Sequence, residues 1–131
     1  MSASTSTKVT FQTKYADYLW VDTDADATLV TMTGLDGGTL FAVEIDNTGN
    51  ADTAAYFKFW FAGSGPTVGT TDPFLQLKAP AAKSISYTFP EGITLSWMGS
   101  GLAYYAVTTA ATKGSSASPA SDVSIKILYS D

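Results

Sequence analysis

Three stretches of this chain alternate apolar and polar side chains with a period of two, and that alternation limits the fold more than any other feature. From Leu40 to Asn47, the residues Phe41, Val43 and Ile45 point one way and Ala42, Glu44 and Asp46 the other. From Ser84 to Phe89, Ile85, Tyr87 and Phe89 alternate with Ser84, Ser86 and Thr88. Near the C-terminus, Val123, Ile125, Ile127 and Tyr129 oppose Ser124 and Lys126. Successive side chains of a strand face opposite ways, so each stretch reads as a half-buried strand. The pattern predicts a core containing Phe41, Val43, Ile45, Ile85, Tyr87, Phe89, Val123, Ile125 and Ile127. No stretch keeps a helical period for long.

Weaker strand patterns cover Lys8–Tyr15, Tyr18–Val21, Thr28–Met32, Ala54–Phe61, Phe74–Leu77, Ile93–Trp97 and Leu102–Thr109. The breaks between them carry turn residues: Gly34, Asp36, Gly37 and Gly38; Asn47, Gly49 and Asn50; Gly63, Gly65, Pro66 and Gly69. Short strands at this spacing, with no crossover helices, predict an all-β chain folded as a single antiparallel β-sandwich of jelly-roll or immunoglobulin-like type. The strand connectivity is not set by the pattern. With 131 residues the chain fits one domain. Residues 1–7 read as a flexible polar N-terminal tail and 8–131 as the sandwich, with Lys113–Ser121 (KGSSASPAS) a flexible loop by composition.

Composition narrows the chemistry. There is no cysteine and no histidine, which removes disulfides, thiolate metal sites and the usual general base. All seven cations are lysines and the net charge is −5. Without arginine, and with that charge, nucleic acid and anionic membranes are poor partners. The opening MSASTST lacks the basic and apolar regions of a signal peptide, and no apolar run reaches bilayer-spanning length. These features lead us to expect a protein made and assembled in the cytoplasm. Charged residues are only 15% of the chain while aromatics are 13%, a balance suited to packing against other proteins.

Asp22, Asp24 and Asp26 form a D-x-D-x-D run, the opening of a calcium loop. The sixth position is Ala27 instead of glycine and the twelfth Thr33 instead of glutamate, so the run reads as an acidic turn and no metal is expected. A glycosidase-type carboxylate pair would need Glu44 and Glu91, the only glutamates. One lies on a polar strand face and the other in a P-E-G turn. No catalytic residue and no cofactor is therefore expected, and the chain reads as a non-enzyme.

The run Tyr56-Phe57-Lys58-Phe59-Trp60-Phe61 puts Phe57, Phe59 and Phe61 on one strand face and Tyr56, Lys58 and Trp60 on the other. Tyr56 and Trp60 could form a protein interface or stack on a sugar, or a loop could pack over them. Tyr104 and Tyr105 are adjacent, so one of them must face away from the core. Tyr56, Trp60, Tyr104 and Tyr105 are the candidate interface residues.

The segments FAVEIDNTGNADTAAYFKFWFAG, PTVGTTDPFLQLKAPAAKSISYTFPEGI and LAYYAVTTAAT together cover about half the chain. They resemble small β-sandwich virion structural proteins of tailed phages, in which an A-V-x-I-D-N-T strand precedes an aromatic Y-x-K strand. A P-T-V-G-T-T-x-P loop, an A-P-A segment, an F-P-E-G-I turn and an A-V-T-T-A strand follow there. The resemblance implies a capsid decoration (cement) protein on the capsid exterior of the virion, bound to the major capsid protein or other virion proteins. Shell geometry suggests a homo-oligomer, a trimer. A tail, neck or fibre component, or a carbohydrate- or receptor-binding module, is the alternative. Nothing in the resemblance supplies a catalytic or binding residue.

Overall fold

The computed structural model describes residues 6–10, 18–32, 38–61, 66–94 and 102–130. Among them are nine strands and no helix: β1 (Ser6–Thr10), β2 (Tyr18–Ala25), β3 (Val30–Met32), β4 (Thr39–Asp46), β5 (Ala55–Phe61), β6 (Leu75–Ala79), β7 (Ser84–Thr94), β8 (Leu102–Val107) and β9 (Val123–Ser130). They form a five-stranded sheet in the order β1-β2-β9-β4-β7 and a four-stranded sheet in the order β3-β8-β5-β6. Every pairing is antiparallel.

The pairing pattern identifies the topology. β2 pairs with β9, β3 with β8, β4 with β7 and β5 with β6. Strands two to nine are thus one long hairpin, folded about the β5–β6 connection. The β4–β9 and β5–β8 pairings wrap it into two sheets. That is a jelly roll, with β1 added at the edge beside β2, and not an immunoglobulin-like sandwich.

Between the sheets lies one continuous core. Leu40, Val43, Ile45, Val123, Ile125 and Ile127 meet Met32, Phe57, Phe59, Leu102 and Tyr104 from the opposite sheet, all essentially inaccessible to solvent. Ile85, Tyr87 and Phe89 of edge strand β7 pack against this cluster while keeping some exposure. Rings of β5 and β8 pack on one another: Tyr104 lies 6.1 Å from Phe57 and 6.0 Å from Phe59. A polar stitch crosses the core, in which Trp20 Nε1 donates to the Tyr104 hydroxyl (3.0 Å) and that hydroxyl donates to Asp22 Oδ2 (2.6 Å).

Four expectations need correction. Phe41 is not a core residue. β4 runs in register with β9 as Leu40↔Tyr129 and then Ala42↔Leu128, so Phe41 is an inserted residue and Leu40 takes the inward position. Opposite Phe41 on the other side, β7 skips from Thr88 to Ile93, and Phe89–Gly92 form a bulge between them. Second, Ser6 and Thr7, read as part of the tail, pair with Asp22 and Val21 in β1. Third, Ile93 does not begin a new strand but finishes β7. Fourth, the KGSSASPAS segment is an ordered cover, described below. The expected strand positions 11–15 and 95–97, and the glycine turns at 34–37 and 63–65, lie outside the described residues.

The core register makes a simple prediction. Ile125→Ala should cost about 2–5 kcal/mol, as for a fully buried aliphatic. Phe41→Ala should cost only about 1 kcal/mol, the ordinary range for a partly exposed position. Urea denaturation of the two variants measures both, and equal losses would place Phe41 back in the core.

Candidate interaction surface

The aromatic face of the four-stranded sheet is occupied within the chain. Lys58 and Trp60 on β5, and Tyr105 and Val107 on β8, all point away from the main core, yet all are buried. Ala27, Leu29 and Val68 pack on the Trp60–Tyr105–Val107 cluster, and the Trp60 and Tyr105 rings lie 5.0 Å apart. The β8–β9 connection closes over the rest. Lys58 Nζ donates to the Ala111 carbonyl and to the Gly114 carbonyl (2.8 Å), and the Tyr105 hydroxyl donates to the same Gly114 carbonyl (2.7 Å). Gln76 Nε2 donates to the Ala110 carbonyl, Trp60 Nε1 to the Thr71 carbonyl, and the Ala27 amide to the Ser118 hydroxyl. Pro119 is buried beneath this cover.

The candidate interface residues therefore need correction. Trp60 and Tyr105 do share the outer face, as the alternation requires, but the loop reading of that face is the right one. Tyr104 faces inward, into the core. None of the three offers surface to a partner; of the four, Tyr56 alone is half-exposed.

Burial also shifts the proton affinities on this face. It pushes the Lys58 ammonium below the usual lysine range and the Tyr105 phenol above the usual tyrosine range, because burial takes water from each charged form.

Two carboxylates of the D-x-D-x-D run, Asp22 and Asp26, serve local structure. Asp22 holds Tyr104 and accepts from the Asp24 amide (3.1 Å), and Asp26 accepts from the Thr28 amide (2.8 Å). Thr33, the twelfth position of the run, lies outside the described residues. At one end of the sandwich, Asn47 Nδ2 donates to the carbonyls of Thr53, Ala79 and Pro80. Asn50 Nδ2 donates to Asn47 Oδ1 and to the Ser121 carbonyl. These two buried amides knot three loops together. Beside them, the Thr48 hydroxyl and amide both donate to Asp46, holding its carboxyl below the usual aspartate range.

Among the described residues, two depressions stay open to solvent. On the outer face of the five-stranded sheet, a depression of about 380 Å³ is lined by Leu19, Leu128, Ala42 and Thr88, with Glu44 and Lys126 beside them. At the bulged end of β7, Phe89, Pro90, Glu91, Gly92 and Ile93 line a second depression of about 500 Å³. Gly92 is required there: its φ is +75°, and a Cβ would sit 2.1 Å from Thr39 Cγ2.

Neither family models, nor curated proteins, nor solved structures match this chain. The open surfaces must therefore be read from their own geometry.

The buried lysine gives a test of the cover. Lys58→Met removes both carbonyl ties and should cost about 1–3 kcal/mol, the scale of charged hydrogen bonds. Hydrogen exchange should show the Thr108 and Gly114 amides losing protection while β4 and β9 keep theirs. The pH dependence has a definite sign. Between the lowered folded value and 10.5, the unfolded chain binds more protons at Lys58 than the folded chain does. Wild type should thus gain stability relative to Lys58→Met as pH rises through that window. Denaturation of both proteins across the alkaline range checks it, and a falling difference would contradict the burial argument.

Proposed function

We propose that this chain is a non-enzymatic virion structural protein of a tailed phage, a capsid decoration (cement) protein that binds and stabilises the assembled shell. The observation that carries the reading is the internal use of its buried polar groups. Asp22, Asn47, Asn50 and Lys58 each hold together parts of the fold, so the chemistry-bearing side chains serve architecture. The jelly-roll wrapping supports it, since viral capsid domains use this architecture. So does the absence of histidine and cysteine, which leaves few routes to acid–base or nucleophilic chemistry.

The carbohydrate-binding alternative relied on Trp60 and Tyr56 as a stacking platform. With Trp60 buried under the segments that carry Ala27, Leu29, Val68 and Thr71, that platform loses its main ring. Placement in a tail, neck or fibre shares the fold and differs in copy number.

The test mixes purified protein with particles stripped of it and counts copies after sedimentation. Saturation at hundreds of copies is the expected result, and a dozen or fewer would move the protein to the neck or tail. Trp60→Phe and Tyr105→Phe should leave the copy number unchanged, because those rings are internal. No binding to particles, with binding to a host glycan, would overturn the proposal.

A further inference from the structure

The outer face of the five-stranded sheet is complementary to a second copy of itself. Across that face the register sets two neighbouring rows. One runs Leu19, Leu128, Ala42, Thr88 across β2, β9, β4 and β7, and the next runs Val21, Lys126, Glu44, Ser86. In both rows the β2 and β9 positions carry the longer side chain or the cation, and the β4 and β7 positions the shorter one or the anion. Lys126 and Glu44 are exposed, while Leu19, Leu128 and Val21 are half-buried, and Leu19 and Leu128 line the depression together with Ala42 and Thr88.

We infer that two copies pair through this face about a two-fold axis lying parallel to the strands, between β4 and β9. Such an axis exchanges the two halves of each row. Lys126 of one copy then meets Glu44 of the other, twice, and Leu128 meets Ala42, with Leu19 over Thr88 and Val21 over Ser86. Large side chains enter the space left by small ones, and opposite charges meet without a like-charge contact. In the next row along, Asp46 meets Ser124 and not a second Asp46. Two stacked sheets with nearly aligned strands are an ordinary packing, and a self-complementary patch is what a two-fold interface requires. Four strands at roughly 4.8 Å spacing give a footprint at the small end of stable interfaces, so the dimer should form reversibly with concentration. The inference does not depend on particle binding, and the dimer differs from the trimer that shell geometry suggests.

Sedimentation equilibrium of the full chain over a wide concentration range tests it. Wild type should populate a dimer. Glu44→Lys alone and Lys126→Glu alone should each weaken it by roughly a hundredfold, since each places like charges in contact. An equimolar mixture of the two variants should restore association, because each copy then supplies the charge that the other lacks. Circular dichroism confirms that the variants fold. A wild type that stays monomeric, a trimer, single variants that associate as wild type does, or a mixture that stays monomeric would each overturn the inference. The mixture also separates pairing between copies from attraction between Glu44 and Lys126 inside one copy, which mixing cannot repair. Particle binding, measured separately, can fail or succeed without altering this outcome.

Discussion

Strands β5 and β8 carry bulky side chains on both faces, and a two-layer sandwich can bury only one of them. Phe57, Phe59, Phe61, Leu102 and Tyr104 fill the space between the sheets, which leaves Lys58, Trp60, Tyr105 and Val107 outside it. Exposed, these rings would form a contiguous apolar patch of the kind that drives association. The chain covers them instead with its own connections, the 26–29 and 66–71 segments and above all the long β8–β9 loop. A loop over a sheet face brings backbone carbonyls out of water, and those carbonyls need donors. Lys58 and the Tyr105 hydroxyl supply them at Ala111 and Gly114. The buried ammonium, unfavourable by itself, is held because it satisfies a loop that the aromatic face requires.

This third layer also explains which parts of the structure could be read in advance. The alternating stretches at Leu40–Asn47, Ser84–Phe89 and Val123–Tyr129 became β4, β7 and β9, because strand periodicity is a local property. Phe41 broke the pattern for a reason that is not local. It sits where β4 gains a residue against β9 and faces the bulged Phe89–Gly92 segment of β7, and an insertion reverses the facing of whatever precedes it. The aromatic facing at Tyr56–Phe61 was legible, but exposure on the outer face was decided by separate segments, near Ala27 and Thr71 for Trp60 and some fifty positions later for Lys58. The composition of KGSSASPAS suggests flexibility, yet its carbonyls and Pro119 are held from below. Connectivity was illegible for the same cause: the pairing of β2 with β9 joins the two ends of the chain, and alternation carries no partner information.

The bulged end of β7 bears on how copies of such a module meet. β7 is a sheet edge of eleven residues, long enough to recruit another strand by backbone pairing. Pro90 has no amide hydrogen to donate there, and the Phe89–Gly92 bulge turns the edge out of line at its centre. Backbone pairing at an edge reads almost no sequence, whereas contact through a sheet face reads each side chain in register. A chain that blunts its long edge and keeps Leu19, Leu128, Lys126 and Glu44 in ordered rows on the face has shifted association from the unspecific mode to the specific one. The glycine at position 92 is what permits this, since its left-handed backbone lets the bulge return to register at Ile93, where a side chain would strike Thr39. The bulge thus acts twice: it denies the edge to chance partners, and it brings β7 back beside β4 to complete the rows on the open face.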